Sequence, residues 1–158
     1  MINQSQNKEK NMRRPFTLWP LVFFLLVLAL GGFYGGIAML TDPTGSSLGV
    51  ADVLPLLPVP NYILPGVFLL VVMGLFPLLL SFALIARPNW SWVDSLFQWS
   101  KYYWAWTATL ILIAITAIWL VVESMLIGFF PITLITAVLG LFILLFALLP
   151  GVRKYYAK

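Results

Sequence analysis

Apolar residues in this chain run in long blocks, with little of the alternation that marks a half-buried strand. A bilayer core about 30 Å thick takes roughly 20 mostly apolar helical residues to cross. Blocks of that length fall at 17–40, 63–86, 102–128 and 131–149. Pro20 and Pro65 sit in the first turns of their blocks, where a missing N–H costs little. Asn61 is placed to cap the second block, and Pro77, just past Gly74, predicts a kink within it. Only Phe129 and Phe130 part the last two blocks, which forces an antiparallel hairpin.

The polar intervals are as informative. Asp42-Pro43-Thr44-Gly45 has the residues of a type I turn. Pro55, Pro58 and Pro60 then punctuate an apolar run, which predicts an extended loop lying along the outer membrane surface or across the helix ends. Ser91 to Asp94 reads as a capping box that opens a short interfacial helix, with Trp92, Leu96 and Trp99 on one face. The expected architecture is all-α: one four-helix membrane domain over 17–149, with basic tails at 1–16 and 150–158.

Composition narrows the function. Of 158 residues, 62% are hydrophobic and 9% charged, which excludes a soluble enzyme and a nucleic-acid-binding domain. There is no Cys and no His, which removes thiolate and imidazole metal sites and the usual nucleophile–base pairs. No cofactor is expected, and membrane lipids, a membrane-protein partner or a second copy are the expected partners.

The nine basic residues set the orientation. Lys8, Lys10, Arg13, Arg14, Arg87, Lys101, Arg153, Lys154 and Lys158 all fall on one side of a four-span arrangement. By the positive-inside rule both termini face the cytoplasm. The first block is longer than a signal-peptide core and lacks a small-residue cleavage site, so it reads as an uncleaved span. Trp19, Trp90, Trp92, Trp99, Tyr102, Tyr103, Trp104, Trp106, Tyr155 and Tyr156 are expected as interfacial anchors on that inner side.

One formal charge, Glu123, lies within a block. At 1.5 Å per residue it sits about 25 Å beyond Trp106, near the outer edge. Thr109, Thr116 and Glu123 recur every seven residues and share a stripe, with Trp119 one turn from Glu123. A polar stripe in a span faces the bundle. Gly31, Gly32, Gly35 and Gly36 form overlapping small-xxx-small pairs for close helix packing. The expectation is that helices one and three meet there, bringing Tyr34 to Glu123. Asp42 and Asp52 join Glu123 on the outer side as candidates for cation or proton binding.

Residues 42–45 with Leu48-Gly49, Tyr62-Ile63-Leu64-Pro65-Gly66, and Ile118-Trp119 with Glu123 and Ile127-Gly128 resemble a group of small four-helix bacterial membrane proteins. The likeness runs over about 15–155. It implies a four-helix fold in a bacterial inner membrane and no particular activity. Three functions compete: a non-enzymatic structural or accessory membrane component, an oligomeric transporter or channel subunit using Glu123 with Thr109 and Thr116, and a membrane enzyme. The first is the reading favoured by the residues.

Overall fold

The computed structural model describes residues 14–158. The first basic tail therefore lies, up to residue 13, outside the described residues. The described chain is helical, with four helices long and apolar enough to span a membrane and no strands. These are α1 (Leu18–Thr41), α2 (Ile63–Ala86), α4 (Trp104–Ile127) and α5 (Pro131–Leu148). Two short helices, α3 (Ser91–Leu96) and α6 (Pro150–Tyr155), lie at the end where the second span stops, the third starts and the fourth stops.

The spans form a ring in which α1 touches α2 and α5, and α4 touches the same two. The diagonal pairs α1–α4 and α2–α5 share almost nothing. This corrects the expected packing of the first span on the third. Gly32 and Gly36 do mediate a close approach, but to α2. A Cβ on Gly32 would fall 2.3 Å from the Met73 carbonyl carbon, and one on Gly36 2.7 Å from Leu70 N. Gly31 and Gly35 lie off that contact: nothing stands near a Cβ on Gly31, and only a Leu69 methyl near one on Gly35.

The break expected at Pro77 takes the form of a π-helical stretch, Leu69–Leu75, directly before it. Proline removes the donor that would bond a carbonyl one turn earlier. The widened turn lets Phe76 N–H reach back to Val71 O, and Gly32 closes over the Met73 carbonyl from α1. The Ser81 hydroxyl donates to Pro77 O at 2.8 Å, so the polar groups around the break are answered locally.

The loop after α1 begins with the expected turn. Gly45 N–H donates to Asp42 O, and Gly45 is left-handed at φ 77°. Asn61 Oδ1 accepts from Ile63 N–H at 3.1 Å, so it caps α2 from one residue further out than a standard cap. The proline-punctuated run departs from expectation. Ala51–Leu56 forms a 3-10 helix that contains Pro55 and rests on α4. Proline's fixed φ suits so short a 3-10 segment. The capping box at Ser91 also fails: Trp90 occupies the cap position and makes no side-chain cap bond.

Burial is uneven along the bundle. Leu18, Leu21, Leu25, Leu80, Leu84, Leu112, Ile143 and Ala147 are buried towards the end that holds α6. At the other end Met125, Phe129, Ile132 and Leu134 stand exposed on α4, α5 and their link.

Candidate functional site

The polar stripe on α4 meets a matching stripe on α5. The Thr133 hydroxyl donates to Glu123 Oε1 at 2.7 Å and fixes the antiparallel register. In that register Gly140 falls level with Thr116, and Ala147 with Thr109. Thr133, Gly140 and Ala147 recur every seven residues and are all buried. The bond from Trp106 Nε1–H to Ala147 O at 2.9 Å holds the same alignment at the far end. A seam of small and polar side chains thus runs between two apolar helices, and the α5 half of it was not singled out from the sequence. Its signal was the spacing Thr133, Gly140, Ala147, which only a known register makes meaningful.

Hydroxyls along this seam differ in what they do. Thr109 returns its hydrogen to Ala105 O at 2.8 Å, the usual local answer for a helical threonine. Thr116 is 2% exposed, yet its hydroxyl has no hydrogen-bond partner among the described residues. Nothing lies within 4 Å of where a Cβ on Gly140 would be. At the α6 end, Trp106 closes the seam by capping Ala147 O, a carbonyl freed where α5 stops.

The remaining candidates do not converge on Glu123. Tyr34 is 72% exposed and lies on α1, diagonal to α4, so the expected Tyr34–Glu123 bond is absent. Trp119 stacks on Phe68 of α2, ring centroids 4.2 Å apart, and so joins the second and third spans. Asp42 is spent within its own loop. Its Oδ1 accepts from the Thr44 hydroxyl at 2.6 Å and its Oδ2 from Ser47 N–H at 2.7 Å. Those bonds, the Thr44 hydroxyl first, hold its carboxyl below the ordinary value of 3.8. Asp52 lies in the 3-10 turn. Among the described residues no three acidic side chains gather to hold a metal ion.

The opposite end of the bundle holds a cluster that the sequence presented only as scattered anchors. Half of those ten aromatics are buried in the protein: Tyr103, Trp104, Trp106, Tyr155 and Tyr156. The terminal segment expected as a tail instead folds back as α6. Val152, Tyr155 and Tyr156 enter the core, and Tyr103 N–H donates to Tyr156 O at 2.7 Å. Pro88 lacks the N–H that would answer Leu84 O, and the Tyr156 hydroxyl answers it instead. The Tyr103 hydroxyl donates to Pro88 O at 2.8 Å. Burial pushes the Tyr103 phenol up to about 12 and raises that of Tyr156 further.

Compared with family models, curated proteins and solved structures, the chain finds no match. The functional reading therefore rests on the residues and their geometry.

Proposed function

We propose that the chain is an integral membrane protein acting as a non-enzymatic structural or accessory component. Its seat on this reading is a bacterial inner membrane, with both termini cytoplasmic. The observation that carries it is the closure of the polar seam at the α6 end. There Trp106 is bonded to Ala147 O, and Tyr103, Tyr155 and Tyr156 are packed into the core. The exposed apolar faces of α4 and α5 give the protein a surface for lipid or for a neighbouring helix.

A second reading, a small oligomeric transporter or channel subunit, is favoured by the unanswered Thr116 hydroxyl two turns from Glu123. Reconstitution separates the two. Proteoliposomes under an imposed proton or monovalent-cation gradient are followed with a pH-sensitive or cation-sensitive dye. The accessory reading expects no flux above that of empty liposomes. A flux abolished by Glu123→Gln overturns it in favour of transport. Orientation is tested separately with single cysteines at Ser46 and Ser95, since the chain has none of its own. An impermeant maleimide applied to whole cells is expected to label position 46 alone.

A further inference from the structure

We propose that Arg87 and the three tyrosines around it form a binding site for the phosphate of an anionic phospholipid. Arg87 is the first residue past α2 and the one non-glycine residue with positive φ, 49°, among those described. A left-handed backbone disfavours any side chain but glycine, so this conformation is imposed by what surrounds it. Its guanidinium carbon stands 4.8 Å from the centre of the Tyr155 ring and 5.5 Å from those of Tyr103 and Tyr156. The rings cannot turn away. Tyr103 and Tyr156 are held by their hydroxyl bonds to Pro88 O and Leu84 O, and Tyr155 packs edge-on against Tyr156.

The guanidinium is thus held among three aromatic rings. Guanidinium carries five N–H donors in a planar fork that matches a phosphate. Among the described residues no acceptor takes a bond from the Arg87 side chain. Asp94, the carboxylate described at this end, is paired with Lys158 at 3.8 Å. The residue as a whole is exposed, so a ligand can reach it.

Position identifies the source of the phosphate. Arg87 directly follows a 24-residue apolar helix. Trp19, Trp92 and Trp99 are exposed at the same end, as side chains at headgroup depth are. A phosphate at that depth belongs to a lipid. The three ring contacts hold the guanidinium before the lipid arrives, so less ordering cost remains to be met on binding. This distinguishes Arg87 from basic residues that merely attract an anionic surface.

The test uses the full chain in detergent, incubated with phosphatidylglycerol or phosphatidylcholine and read by native mass spectrometry. Phosphatidylglycerol is expected to stay bound and phosphatidylcholine to dissociate. Arg87→Gln is expected to lower retention about fivefold. Arg87→Lys keeps the charge but lacks the planar fork of donors, and is expected to fall between the two. Lys154→Gln, which removes an exposed charge at the same end, is expected to retain the lipid. Full retention by Arg87→Gln, or an equal loss with Lys154→Gln, overturns the site. Equal retention of the two lipids overturns an anionic lipid as its occupant. Displacement by millimolar inorganic phosphate overturns the lipid as its occupant.

Discussion

Thr133 donates its hydroxyl hydrogen to Glu123 Oε1 across 2.7 Å and so ties the first turn of α5 to the last turns of α4. The bond gives the one charge inside a span a partner on the neighbouring helix. It also sets the register that aligns the rest of the seam.

Glu123→Gln keeps a carbonyl oxygen for Thr133 and is expected to change stability by about 0.6 kcal/mol or less. Glu123→Leu leaves the buried Thr133 hydroxyl without its acceptor and is expected to cost about 1–3 kcal/mol. Reversible unfolding in mixed micelles measures both. A Thr133→Val, Glu123→Leu double variant no more damaged than Glu123→Leu alone is the expected sign of direct coupling.

The glycines separate by position. Gly32→Ala forces a methyl into the Met73 backbone and is expected to destabilise by about 1–3 kcal/mol. Gly31→Ala meets nothing and is expected to be neutral or slightly stabilising through helix propensity. Gly140→Ala enters open space and is expected to raise the melting temperature, read from tryptophan fluorescence during heating.

Removing residues 150–158 strips Val152, Tyr155 and Tyr156 from the core. At about 1.5–3 kcal/mol for each large buried side chain, the loss approaches the stability of a typical domain. The truncated chain is expected to aggregate on extraction. Tyr156→Phe keeps the ring and removes only the bond to Leu84 O, and is expected to cost about 1 kcal/mol. Size-exclusion chromatography in detergent distinguishes the two outcomes.

The Asp42 loop is expected to tolerate acid. Its carboxyl is held below 3.8 by the Thr44 hydroxyl and the Ser47 N–H. A depressed carboxyl lends its ordering above the unfolded value and loses it as pH falls through the folded one. Hydrogen exchange is expected to show the Ser47 amide protected at pH 3.8 and released below it. In Asp42→Ala that amide is expected to exchange freely throughout.

Much of the framework was legible residue by residue. The turn at Asp42 needed only its own four residues, and the helical hairpin only the brevity of 128–130. Legibility failed where a local rule had a non-local competitor. The proline run was expected to be extended, but contact with α4 accompanies a 3-10 turn that Pro55 can join. Ser91 had the right spacing for a capping box, yet Trp90, stacked on Trp104, sits at the cap position. Tyrosines 155 and 156 looked like anchors in a tail because nothing in their own segment shows that Pro88 has left Leu84 O without a donor.

The sequence by itself determined the four spans, their order and the short link between the last two. Hydropathy is a local property, and the bilayer imposes it on each helix separately. Which helices became neighbours was decided by the tertiary structure. In hydrocarbon no apolar face is driven towards another, so close fit and polar contacts choose the pairs. Glycines at 32 and 36 promised a close approach without naming α2, and Glu123 demanded a partner without naming Thr133. Arg87 carried one more positive charge in the sequence. Only the folding back of α6 surrounded it with tyrosines.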